Sequence, residues 1–164
     1  MIVTAVAVGT RGDVEPIAEL GKEMVERGSD FRILTSPQFR KLVEEKGVTY
    51  LRLDTDADHV LQYLVTDYKK SIDFMLGMYK LKNENPRFWE QTKEAIKGSD
   101  LVVYGTCGAF ARHVAELYGI KCCRVFYSPM DPTNQYSLYT DEYDSKKVLN
   151  SYKGIRIGIT IMRG

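Results

Sequence analysis

Eight consecutive residues near the start of the chain carry the groups best suited to chemistry: Gly9-Thr10-Arg11-Gly12-Asp13-Val14-Glu15-Pro16. Thr10 brings a hydroxyl, Arg11 a guanidinium and Asp13 a carboxylate. Gly9 and Gly12 let the backbone turn sharply and leave room for a ligand close to the main chain. A carboxylate so placed can take a proton from a substrate hydroxyl. It can equally cap a helix, and the two roles compete, because backbone donors stabilise the charged form and weaken it as a base. The Thr10 hydroxyl serves a ligand, Asp13 or its own turn backbone. The loop lacks the G-K-[ST] ending of a Walker sequence and the G-x-G-x-x-G dinucleotide fingerprint.

The flanking sequence says what positions these residues. Residues 2–8 form an apolar, β-branched run ending at Gly9, as expected of a central strand in a parallel sheet. Pro16 is expected at the first helical position. Ile17, Leu20, Gly21, Met24 and Val25 then follow a helical spacing that Gly28 stops. Phe31–Thr35 reads as a second strand, and Ser36-Pro37 as N-cap and first helical residue. Phe39, Leu42, Val43 and Lys46 share a face, Gly47 ends that helix, and Thr49–Leu53 is a third strand. Phe88–Ile96 reads as a helix before a strand at Leu101–Tyr104. A helix over 108–118 is expected to turn Phe110, Val114, Leu117 and Tyr118 inward, before a strand at Cys122–Phe126. Helices ending on Gly28, Gly47, Gly98 and Gly119, each followed by an apolar run, are the sequence form of repeated β-α units. The expectation is one α/β domain over 1–164, a Rossmann-like doubly wound parallel sheet with right-handed crossovers. Ligands bind such sheets outside the carboxyl ends of the strands, where residues 9–15 fall.

Composition narrows the function. The 164 residues are 44% hydrophobic and 27% charged, ordinary for a globular domain. With 23 basic and 22 acidic residues the net charge is +1, so there is no overall basic excess to neutralise a phosphate backbone and no nucleic-acid partner is expected. Cys107, Cys122 and Cys123 are odd in number and match neither a disulfide framework nor a zinc spacing. They suit a reducing, cytoplasmic setting. No apolar run approaches the roughly 18 residues of a membrane span, and the apolar start lacks a basic leader. His59 is expected on the surface and His113 beside the core, and no metal site is expected.

Gly9–Pro16 closely resembles the opening signature of the glycosyltransferase family 28 N-terminal domain, especially that of sterol glucosyltransferases and the glucosyltransferases of glycopeptide-antibiotic synthesis. Ser128-Pro129-Met130-Asp131-Pro132-Thr133 looks like the S-P-x-x-P-T loop after the fifth strand of those enzymes. Phe39–Gly47 and Ser99–Gly105 also fall in step with the family. The likeness covers about residues 1–135, leaving 136–164 as an extension or the start of an interdomain segment.

The resemblance implies the N-terminal half of a GT-B fold, binding the acceptor, while a C-terminal domain binds the nucleotide-sugar donor. The reaction implied is inverting transfer of a hexose to a hydroxyl of a lipid, sterol or other aglycone. It uses a UDP- or TDP-hexose as co-substrate and no cofactor in this chain. The donor domain would come from the same parent chain or a separate subunit, so this chain alone is expected to be inactive. Asp13 matches the family aspartate proposed as base, with Thr10 beside it. Gly9, Arg11, Gly12, Ser128, Pro129, Asp131 and Thr133 fall at the acceptor cleft. Arg11 either approaches the sugar or diphosphate or is a solvated charge. Other inverting relatives of this fold carry a histidine base where Arg11 stands, which leaves Asp13 as the candidate.

Residues 54–87 interrupt the β-α alternation and read as two helices, at 57–69 and 71–82. The second is apolar around much of its circumference, with Phe74 and Met78 among its large side chains. It is either ordinary core or an acceptor pocket with peripheral membrane contact. Ile155, Ile157, Ile159 and Ile161 alternate as a strand would. Two other readings stand beside the transferase: a non-catalytic nucleotide-binding domain of Rossmann type, and an adaptor for a separate catalytic subunit.

Overall fold

Strand β1 (Ile2–Val6) lies at the centre of a five-stranded sheet. A computed structural model describes residues 1–55, 87–105 and 107–127. Around β1 stand β2 (Asp30–Thr35), β3 (Thr49–Arg52), β4 (Leu101–Tyr104) and β5 (Lys121–Arg124), in the order β3-β2-β1-β4-β5 and all parallel. Val3 is in register with Phe31 on one side and Leu101 on the other.

Alternation along β1 explains the two covered faces. Val3, Ala5 and Ala7 join Phe31 and Ile33 beneath α1 (Arg11–Glu26) and α2 (Arg40–Glu44), through Val14, Ile17 and Val43. Val6 and Val8 turn the opposite way, toward α3 (Phe88–Ile96) and α4 (Ala111–Leu117), through Phe88, Ile96, Ala111 and Val114. A strand apolar on both sides can only be satisfied in this layered arrangement. Thr4 is the polar exception. Its buried hydroxyl donates to the Ala95 carbonyl at 3.2 Å and pairs with Ser99 Oγ at 2.7 Å, tying β1 to the end of α3.

The four glycines expected at helix ends all have left-handed backbone, with φ of 86° at Gly28, 72° at Gly47, 80° at Gly98 and 66° at Gly119. Other expectations are corrected. Helix α1 begins at Arg11, more than a turn before Pro16, because Thr10 caps it. Pro16 lies inside the helix and only deprives the Gly12 carbonyl of a partner. Ser36 stands before a 3-10 turn, Pro37–Phe39, without capping it, since its hydroxyl is used elsewhere. On α4 the buried residues are Ala111, Val114 and Ala115, while Leu117 and Tyr118 are exposed. That helix ends beside β5, whose four residues are all exposed, so nothing described covers its last turn. His113 is exposed as well, 3.9 Å from Glu116.

Met1–Val125 forms one compact unit and Phe126–Gly164 a second, of which only Phe126 and Tyr127 are described. The two helices expected at 57–69 and 71–82, with Phe74 and Met78, lie outside the described residues, as do Ser128, Pro129, Asp131, Thr133 and the alternating segment 155–161.

Candidate functional site

Thr10 and Asp13 form a reciprocal cap at the exit of β1. The Thr10 hydroxyl oxygen accepts from the Gly12 N–H at 3.1 Å. The Thr10 N–H donates to Asp13 Oδ2 at 2.7 Å, and the Thr10 hydroxyl donates to the same oxygen at 3.0 Å. This is a capping box, with Thr10 as N-cap and Asp13 as the third helical residue. Asp13 therefore belongs to the cap without being the N-cap residue that the sequence allowed.

Gly9 makes the arrangement fit. Its φ of 133° is a conformation side chains rarely adopt, and a β-carbon there would stand 2.9 Å from Asp13 Cγ. Gly12, by contrast, lies inside α1 with ordinary backbone, so its part is not the sharp turn its position suggested. Arg11 turns along the helix surface. Its Nε and one terminal nitrogen each donate to Glu15 at 2.9 Å, and both side chains are largely exposed. The hydrogen bond to Glu15 and its charge raise the Arg11 pKa, and the reciprocal bond lowers that of Glu15. Gly9, Thr10 and Asp13 are thus brought together, and Arg11 is directed to Glu15.

Sheet topology gives this cluster its setting. The chain runs from β1 through β2 to β3, then crosses to β4 on the other side of β1. The loops leaving β1 and β4 diverge at that reversal, which is where open α/β sheets form ligand crevices. Cys107 lies beyond β4, nearly buried. Burial, and secondarily the Asp13 carboxylate, push its thiol up to about 12.

The exit of β3 is pinned on the same edge of the sheet. The Asp54 N–H donates to Gln91 Oε1 at 3.0 Å, and Gln91 Nε2 donates back to Asp54 Oδ2 at 2.7 Å. Arg52 donates to the other Asp54 oxygen. The bonds from Arg52 and then Gln91 hold the Asp54 carboxyl below its usual range. Ser36 and Thr55 pair through buried hydroxyls at 2.9 Å. Nothing in the sequence marks Asp54, Gln91 or Thr55 as neighbours of the strand exits, and Cys107 stands out there only as one of three unpaired cysteines. Only Gly105 and Gly108, bracketing Cys107 after a strand, offered a signal.

The model of the glycosyltransferase family 28 N-terminal domain matches residues 3–136. The chain belongs to this family. The family 28 domain is 27% identical over 135 residues to the sterol 3-beta-glucosyltransferase of Candida albicans, which covers 82% of this chain. It is 28% identical over 137 residues to that of Yarrowia lipolytica, which covers 83% of it. The chain spans only 9% of the length of either relative. Among solved structures, the calicheamicin glycosyltransferase CalG4 aligns over 98% of this chain and 42% of its own, with a TM-score of 0.63 and 19% identity. The Streptomyces glycosyltransferase SsfS6, solved with thymidine diphosphate, covers 77% of this chain and 38% of its own at a TM-score of 0.60 and 17% identity. These likenesses establish the fold as that of GT-B glycosyltransferase N-terminal domains.

Among the described residues of the family 28 domain, no group of three or more His, Cys, Asp or Glu is placed to hold a metal ion. None of its described helices is long and apolar enough to cross a membrane.

Proposed function

We propose that this domain is the acceptor-binding half of an inverting, nucleotide-sugar-dependent glycosyltransferase that moves a hexose to a hydroxyl of a lipid, sterol or other aglycone. The observation that carries the reading is the Asp13 carboxylate, held by Thr10 beside Gly9 at the strand-order reversal. The sterol 3-beta-glucosyltransferase relatives favour a sterol among the acceptors, and SsfS6 with thymidine diphosphate supports a nucleotide-linked donor.

In the proposed step, Asp13 takes the proton of the acceptor hydroxyl while that oxygen bonds to the anomeric carbon. The bond from this carbon to the phosphate oxygen breaks, and the nucleoside diphosphate leaves with the electron pair. Attack from the face opposite the leaving group inverts the anomeric centre. The donor-binding half, in the same parent chain or a separate subunit, supplies the contacts that stabilise the departing diphosphate. Acceptor recognition is assigned to Gly9, Arg11 and Gly12, and by family likeness to Phe74, Met78, Ser128, Pro129, Asp131 and Thr133, which lie outside the described residues. The protein works in the cytoplasm, with peripheral membrane contact where the acceptor is a lipid.

The test joins this chain to its donor-binding half and supplies UDP-glucose with a sterol. Asp13→Asn keeps an oxygen for Thr10 but removes the base, and transfer is expected to fall by about 100-fold or more. An Asp13→Asn protein with full kcat would overturn the assignment. The isolated chain is expected to bind sterol without turning over UDP-glucose, and transfer by it alone would overturn the division of labour.

A further inference from the structure

The two edges of the sheet are finished differently. At the β3 edge, Tyr50 and Leu51 are half-buried, the Arg40 guanidinium lies 5.8 Å from the centre of the Tyr50 ring, and Arg52 pairs with Asp54. Charges along an edge protect it against stray pairing. At the β5 edge, all four residues from Lys121 to Arg124 are exposed, although each stands in register with a residue of β4. A parallel sheet is ordinarily covered on both faces, so β5 departs from the rest of this one.

Two cysteines report the two faces of β5 separately. Cys122 is in register with Val102 and Cys123 with Val103. Val102 belongs to the core beneath α3 and α4, and Val103 to the core beneath α1 and α2. Successive strand residues point to opposite faces, so Cys122 continues the first layer and Cys123 the second. Both are exposed and free. On the α4 side the exposure extends to Leu117, at 67%, and Tyr118, at 39%. Because β5 is last in the strand order, its outer row of N–H and C=O groups faces no strand among the described residues.

A row of backbone groups is satisfied in register by another strand, and an open edge is the standard place for strand addition. A second copy of this domain is a poor match. Two β5 strands paired antiparallel about the midpoint of Cys122 and Cys123 would set Lys121 against Arg124, and like charges directly opposite destabilise a pair. The polypeptide that carries the donor-binding half is the better occupant. CalG4 aligns with 98% of this chain using only 42% of its own, so most of a chain of that kind lies outside the match.

We infer that β5 is an interface: a β-strand of the polypeptide carrying the donor-binding half pairs with its outer edge, and apolar side chains of that polypeptide cover Leu117 and Tyr118. The inference rests on the function proposed above in naming that polypeptide as the occupant. It assigns a role to a strand edge that the transfer step does not use.

The experiment compares this chain alone with the same chain joined to its donor-binding half. Alkylation near neutral pH is followed at Cys122 in a Cys123→Ser background and at Cys123 in a Cys122→Ser background. Both thiols are expected to react quickly in the isolated chain and about tenfold more slowly or less in the joined protein. Hydrogen exchange of the 121–124 amides is expected to slow in parallel. Cys122→Lys is expected to leave the urea midpoint of the isolated chain unchanged, as for other surface positions, and to lower that of the joined protein. Equal thiol reactivity in the two proteins overturns the inference. So does slow reaction in the dilute isolated chain, which would mean that the chain covers its own edge. Protection of the isolated chain that grows with concentration would assign the edge to a second copy and overturn it too. Protected thiols in a joined protein that transfers no glucose to sterol would count against the proposed function and leave the interface standing. Transfer with both thiols still reactive would do the reverse.

Discussion

Thr10 grips a single oxygen of Asp13 twice, through its backbone N–H at 2.7 Å and its hydroxyl at 3.0 Å. A helix cap and a candidate base are thus the same pair of residues. The same bonds serve both readings: a backbone N–H and a hydroxyl on Oδ2 hold the carboxylate in place and also stabilise its charged form. The pair fixes where the carboxylate is, and the sheet edge determines what it can meet.

Thr10→Val removes the hydroxyl while keeping the side-chain shape. Helix α1 loses its side-chain cap, and the domain is expected to lose about 1 kcal/mol of stability. Urea denaturation compares the variant with Thr10→Ser, which should stay close to the parent. If Thr10→Val unfolds at the parental midpoint, the cap contributes nothing and this view of α1 fails.

Gly9→Ala meets two penalties at once. It forces a side chain into a φ of 133° and puts a carbon against the Asp13 carboxyl. The strained backbone costs about 1–3 kcal/mol, visible as a lower thermal midpoint. Displacement of Asp13 is expected to reduce transfer by more than the loss of folded protein explains. A variant that folds and transfers like the parent would show that the site has room to spare.

Thiol chemistry separates the three cysteines. Cys122 and Cys123 are exposed and free, whereas Cys107 is buried with its thiol pushed up to about 12. Native protein titrated with a disulfide reagent near neutral pH should therefore react quickly at two thiols, the third appearing only on unfolding. Linkage gives a further sign. The folded thiol titrates above its unfolded value of about 8.5, so its contribution is fully present below that pH. It is lost progressively as pH rises toward the folded value. Urea midpoints should fall more steeply between neutral and alkaline pH in the parent than in Cys107→Ala, and parallel curves would refute the assignment.

Asp54 predicts the opposite limb. Its carboxyl is held low, chiefly by the bond from Arg52 and then by Gln91. A depressed folded value stabilises above the unfolded value of about 3.9 and is lost as pH falls through the folded one. Gln91→Leu removes one of the bonds and leaves the Asp54 N–H without its acceptor. The variant should be less stable than the parent at neutral pH, with the gap narrowing under acid as the parent's own Asp54 protonates. A gap independent of pH would assign the whole effect to packing at Gln91.

The repeated β-α pattern was legible because it depends on local chemistry. Apolar runs apolar on both sides demand a covered parallel sheet, and glycine after each helix answers the left-handed turn found at Gly28, Gly47, Gly98 and Gly119. The start of α1 was misjudged for a local reason as well. Pro16 is the stronger textual signal, but Thr10 can satisfy the first free N–H groups, and a helix begins where that cap exists. Leu117 and Tyr118 were misplaced because periodicity marks an apolar stripe without showing where the covering sheet ends.

By itself the sequence determined that a buried strand is followed directly by an amphipathic helix, the α/β class, and the presence of a hydroxyl, a guanidinium and a carboxylate in the few residues after Gly9. These follow from spacing within a few residues, which chain geometry converts directly into position. Helix geometry pairs Thr10 with Asp13 and Arg11 with Glu15, three and four residues apart. Only the tertiary structure decided the distant partners: Gln91 reaches Asp54, and the turn at Gly108 closes on Val6. The last two join residues 37 and about 100 positions apart, and the sheet order that brings β4 beside β1 has no trace in local spacing. The carboxylate could be read from the text, while its surroundings required the fold.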